Sequence, residues 1–178
     1  MLVVLALTAC GFHLRGSVQL PPELATINVL DARPATDIAP ALRNALKSAG
    51  TQVSDSAPMV LQLTAEQYGK RVLSVDSAGR AEEYGLSYTV RFSLIKEAAE
   101  VNGTTGVVWL AEQAVTQTRD LRFDAAAVLG TESEEAKLKA EMRQDAVLQI
   151  LRRLQVAKPA GVPAANAPVD TSVTTPAK

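Results

Sequence analysis

Tyr84-Gly85-Leu86-Ser87-Tyr88-Thr89-Val90-Arg91-Phe92-Ser93-Leu94 is the stretch that decides the fold. Tyr84, Leu86, Tyr88, Val90, Phe92 and Leu94 alternate without a break against Gly85, Ser87, Thr89, Arg91 and Ser93. A period of two puts each set on its own side of a β-strand, one side buried and the other wet. Upstream, Met59 to Val75 carries a weaker version, with Leu61, Leu63 and Ala65 alternating against Gln62, Thr64 and Glu66. The pattern falters at Tyr68-Gly69-Lys70, where a bulge or twist is expected. Asp76-Ser77-Ala78-Gly79, between the two segments, is rich in turn formers, so the pair predicts a long antiparallel hairpin. Asn102-Gly103 marks a second turn, and Val107 to Thr118, containing Trp109, supplies a fourth strand.

On the N-terminal side, Ala25 to Ala32 is a short β-leaning run led by Ile27, Val29 and Leu30. A helix follows it. Thr36 or Asp37 can cap its exposed amides, and Pro40 fits the first turn, where a missing N–H costs little. Ile38, Leu42, Ala45, Leu46 and Ala49 share one face, and Gly50 provides the stop. On the C-terminal side a second helix is predicted from about Glu132 to Gln155, with Thr131 and Glu134 in the pattern of a capping box. Glu132, Glu134 and Glu135 suit the positive end of its dipole, and Arg152 and Arg153 suit the other. Leu138, Met142, Ala146, Val147, Ile150, Leu151 and Leu154 form its apolar stripe. The order β-α-β-β-β-α predicts an α+β two-layer sandwich, a four-stranded mixed sheet with two helices packed on one face. The second face of that sheet is left polar.

The 178 residues carry a formal charge of −1, with 47% apolar and 21% charged side chains. That is enough for one core and excludes a wholly disordered chain. Near-neutral charge argues against nucleic acid as a partner. A single cysteine excludes an internal disulfide framework and a cysteine-based zinc site, and a single histidine, His13, leaves no basis for a histidine-centred triad. No glycine loop has phosphate-cradling spacing and no His/Asp/Glu cluster has metal spacing. Neighbouring carboxylates such as Glu82-Glu83 point to opposite faces of a strand and read as solvated charge. Asp120 is read as a local ion pair with Arg119 and Arg122. No enzyme activity, metal or dissociable cofactor is expected.

Met1 to Ala9 reads MLVVLALTA, too short to span a bilayer and similar to the hydrophobic part of a secretory signal. Its basic leader is missing, so a start codon further upstream is expected. Leu7-Thr8-Ala9-Cys10 resembles a bacterial lipobox, in which the cysteine thiol takes a diacylglycerol and cleavage precedes the cysteine. Cys10 is thus the expected lipidation site, and its lipid the one covalent attachment. Several buried acyl chains anchor stably where a single chain is marginal. Gly11 after the cysteine resembles an outer-membrane destination. The expected organisation is a signal peptide over 1–9, a lipidated tether over 10–22 and one domain over 23–155. A disordered tail rich in Pro, Ala and Thr completes it over 156–178.

Lys70, Arg71 and Arg80 flank the tip of the long hairpin. Three cations there suit an anionic ligand such as a lipid phosphate. They equally suit a charged edge that discourages sheet-to-sheet aggregation. Asp76, Glu82 and Glu83 dilute the positive charge.

From Cys10-Gly11-Phe12-His13-Leu14-Arg15-Gly16 onward the chain resembles the LptE family. The resemblance continues through Leu42 to Leu46, Ala81-Glu82-Glu83-Tyr84, Thr118-Arg119-Asp120, Glu141 to Ala146 and Leu151 to Leu154. It implies a non-enzymatic outer-membrane lipoprotein, facing the periplasm and seated one to one inside the lumen of an LptD-type β-barrel. There it would act as plug and assembly factor for lipopolysaccharide insertion and contact lipopolysaccharide itself. The sequence departs from the family where basic side chains near the hairpin tip and at the start of the last helix are expected. Its tip reads Asp76-Ser77-Ala78-Gly79 and Thr131 opens the helix, leaving Arg80, Lys70 and Arg71 as substitutes. A pilotin-like lipoprotein for another secretion channel and a free-standing anionic-lipid-binding module are the alternatives.

Overall fold

A computed structural model describes residues 19–31, 36–101, 104–123, 128–158 and 162–163. Cys10, His13, the signal-like run and most of the tether lie outside the described residues, as do Asn102-Gly103. A 3-10 turn at Pro22–Leu24 buries Leu24 and leads into β1, Thr26–Asp31. Ile27 and Val29 point inward from β1, and Leu30 is exposed. The first helix, α1, spans Ile38–Ser48 and buries Ile38, Ala39, Leu42 and Leu46. Its end follows the expected pattern. Gly50, at φ 86°, donates its N–H to Lys47 and Thr51 donates to Leu46, so the last carbonyls are satisfied through a left-handed residue. The chain continues as β2 (Gln52–Val53), β3 (Met59–Val75), β4 (Ala81–Val101), β5 (Thr104–Arg122), α2 (Val128–Gln155) and β6 (Val162–Pro163).

Five strands form the ladder β1-β3-β4-β5-β6, and β2 adds a sixth beside β1. The strand β1 runs parallel to β2 and β3, and the β3–β4, β4–β5 and β5–β6 pairs are antiparallel. The α+β class, the mixed sheet and the two helices are as expected, but the sheet is wider than the four strands predicted. Both additions are two residues long, too short for any periodicity to register. The strand β6 also amends the tail expected to be disordered from 156. Ala157 is buried, and Val162 and Pro163 pair with Val108 and Val107 at the sheet edge.

One face of the sheet and both helices share the core. Leu61 and Leu63 of β3 lie there with Leu86, Tyr88, Val90 and Phe92 of β4, and with Val115 and Leu121 of β5. Leu42 and Leu46 of α1 and Met142, Ala146, Ile150 and Leu154 of α2 cover them. Burying each large apolar side chain contributes roughly 1.5–3 kcal/mol.

Two local expectations change. The hairpin register runs unbroken from Gln67 opposite Thr89 to Val72 opposite Tyr84, so nothing falters at Tyr68-Gly69-Lys70. The breaks fall on either side, between Leu63 and Ala65 before it and between Val72 and Ser74 and Ser74 and Val75 after it. An extra residue in one strand inverts which side chains face inward beyond it. Ala65 therefore pairs with exposed Arg91, and Glu66, Tyr68 and Lys70 turn toward the helices. The second correction concerns α2, which begins at Val128 rather than Glu132. Thr131 is buried inside the helix and is not its cap.

Candidate functional site

Three surfaces follow from this arrangement. The first is the far half of the β3–β4 hairpin. Asp76 organises its tip: the side chain accepts from the backbone N–H of Ala78 and Arg80 and from Arg80 Nε at 2.8 Å. Gly79, at φ 77°, closes the turn. The Arg80 backbone N–H does most to hold the Asp76 carboxyl below its ordinary pKa, and the Arg80 side chain and Ala78 N–H add to it. Val72, Leu73 and Val75 are exposed along this arm, although large and apolar. Gly85 gives the arm its packing on the outer face. A Cβ there would stand 3.0 Å from Leu73 Cδ2 and 3.3 Å from Arg71 Nε, so both side chains lie across the bare backbone.

The second surface is the outer sheet face, on which no helix packs among the described residues. Arg91 meets Glu112 at 3.4 Å, the Thr64 hydroxyl donates to the same carboxylate, and Thr89 and Thr116 share a hydrogen bond at 3.0 Å. This polar ladder was legible from the alternation in β4.

The third is a polar seam between the arm and the helices, which sequence reasoning missed. Glu66 accepts the N–H of Ile38 at the start of α1 and the hydroxyl of fully buried Tyr88. It thereby does the capping work expected of Thr36 or Asp37. Thr36 instead bonds Asp31, and Asp37 receives Lys139 at 3.4 Å and Arg143 at 3.0 Å. Glu135 accepts from Lys70 at 2.6 Å and from the Tyr68 hydroxyl at 2.7 Å. Lys139 lies over the Tyr68 ring and Lys70 over the Tyr84 ring, at 5.3 and 4.3 Å. Burial, reinforced by the facing carboxylates, raises both tyrosine pKa values, through Glu135 at Tyr68 and Glu66 at Tyr88. Lys70 first, and then Tyr68, hold Glu135 below its usual range.

A depressed carboxylate pKa means that the unfolded chain binds the proton more readily. The stability from Glu135 and Asp76 is therefore complete above their ordinary values near 4 and is lost as pH falls through the lower folded values. A carboxyl NMR titration should place both midpoints below those of an unfolded reference peptide.

The structure does not bring Lys70, Arg71 and Arg80 together. Lys70 faces the helices and is paired with Glu135, Arg71 lies on the opposite face over Gly85, and Arg80 is bound to Asp76. The local ion pair read at Asp120 is also absent. Arg119 pairs with Asp145 and Arg122 with Glu83. Among the described residues, no group of three or more His, Cys, Asp or Glu side chains is placed to hold a metal. No helix among them is long and apolar enough to cross a membrane.

These features define a two-layer α+β domain with a projecting arm and an outer sheet face that carries a polar ladder. The chain matches the LptE family, described as lipopolysaccharide-assembly, over residues 24–154, and it belongs to that family. LPS-assembly lipoprotein LptE of Pectobacterium atrosepticum is 25% identical over 157 residues, covering 86% of this chain and 80% of that protein. Its counterpart in Photorhabdus laumondii is 28% identical over 156 residues, covering 86% and 81%. Among solved structures, lipoprotein B from Nitrosomonas europaea, described as uncharacterized, is similar with a TM-score of 0.64 and 27% identity. That match covers 82% of this chain and 90% of the other. A minor lipoprotein from Acinetobacter baumannii shares the fold at a TM-score of 0.60 and 21% identity, covering 77% and 96%.

Proposed function

We propose that this protein is a lipid-anchored, non-enzymatic subunit of lipopolysaccharide assembly at the outer membrane. It faces the periplasm and sits one to one in the lumen of an LptD-type β-barrel. The observation that carries this reading is the family match, which spans β1 to β5, α1 and all but the last residue of α2. The polar ladder on the outer sheet face supports the barrel partnership. The lumen of an outer-membrane barrel is lined with polar side chains, and a face of threonines with an Arg91–Glu112 pair can exchange hydrogen bonds with such a wall. Cys10 carries the lipid in this reading. Of the three cations, Arg71 and Arg80 remain on the arm to meet lipopolysaccharide phosphate, and Lys70 serves the seam.

Depletion of the protein tests the role. The expected result is loss of correctly folded barrel together with loss of surface lipopolysaccharide. Replacing Cys10 by alanine should remove the acyl mass and release the protein from the membrane fraction. Normal barrel assembly and normal surface lipopolysaccharide after depletion would overturn the reading.

A further inference from the structure

Two halves of α2 are held to the sheet by different chemistry. From Met142 onward the inward side chains are apolar and dry. Met142, Ala146, Ile150 and Leu154 are fully buried, Val147 and Leu151 nearly so, and Asp145 is fixed to Arg119 of β5. Between Glu132 and Glu141 no side chain is fully buried, and Leu138, half-buried, is the one large apolar residue against the core. That half is held by Glu135 on Lys70 and Tyr68, and by Lys139 on Asp37 and the Tyr68 ring. The charged partners keep between 25% and 56% of their side-chain surface in water. Arg143, paired with Asp37, marks the boundary.

We propose that α2 is a strap hinged near Met142, with a C-terminal half locked in the core and an N-terminal half that lifts from the hairpin arm. Apolar burial is not weakened by screening, whereas partly exposed charge pairs are. The two halves therefore part company under conditions that leave the core intact, as local opening does in segments with little apolar contact. The lifted half remains compatible with water, since Glu132, Glu134, Lys137, Lys139 and Glu141 keep it charged on every side. Lifting uncovers Tyr68 and Lys70, which with the Tyr84 ring beneath Lys70 and exposed Val72 form one strip of rings, cation and aliphatic side chain on the helix-facing side of the arm. Buried Thr131, in the first turn of the helix, must also release.

Amide hydrogen exchange on the full-length protein in detergent tests this. Raising salt from about 0.01 to about 1 M shortens the screening length from about 30 to about 3 Å, and exchange over 132–141 should rise about tenfold while 146–154 changes less than about twofold. Lys70→Gln with Glu135→Gln, which keeps both side chains and removes the ion pair, should raise exchange over 132–141 at low salt and shrink its salt response to less than about threefold. A salt response shared equally by both halves, no response in either, or an unchanged response in the double variant would each overturn the proposal.

Discussion

Phe92→Ala is expected to destabilise the protein by about 3–5 kcal/mol, which lowers Tm by on the order of 10 °C. Phe92 is fully buried in β4, opposite Leu63 on one side and Gln113 on the other. Both helices close over this part of the sheet, so the surroundings cannot collapse into the space left by the ring, and the cost includes the cavity as well as the lost transfer energy. Total stabilities of domains this size are on the order of 10 kcal/mol, so the loss is a large fraction. Urea unfolding should show a lower midpoint at unchanged slope.

Glu66→Ala is expected to cost about 2–4 kcal/mol, for a different reason. It removes the acceptor for the Ile38 N–H, a cap worth about 0.5–2 kcal/mol, and leaves the buried Tyr88 O–H without its acceptor, worth about 1–3 kcal/mol, with Arg143 still beside the oxygen. A double-mutant cycle separates the two effects. In a Tyr88→Phe background there is no hydroxyl to orphan, so Glu66→Ala should cost only the cap. Equal costs in both backgrounds would contradict the role given to the Tyr88 contact.

The same two residues show how far the fold was legible. The alternation through Phe92 fixed the strand and its buried side because each face is uniform in chemistry along its length. Glu66 was placed on the wet face by the alternation from Leu61. A break between Leu63 and Ala65 turned it inward, and nothing local distinguishes a residue before such a break from one after it. The misplacement of Lys70 has the same origin. Read on an outward edge beside Arg71, it belongs to the inward set with Glu66 and Tyr68.

Helix ends divided in a comparable way. Gly50 was recognisable because a left-handed stop demands a residue without a side chain. Thr131 with Glu134 has the pattern of a cap, yet the helix starts at Val128 and Thr131 points into the structure. A short polar residue satisfies either role, and tertiary packing chooses between them. Of the candidate site, the polar ladder on the outer sheet face was legible from β4 alone. The seam was not, because its members come from α1, β3, β4 and α2, and their meeting depends on a register that the sequence does not display.

The barrel partnership is open to purification of the acylated protein from detergent-solubilised outer membranes. A large β-barrel of the LptD type should come down with it in equal amount. Isolation of the protein alone, or with the barrel of a different secretion channel, would contradict it.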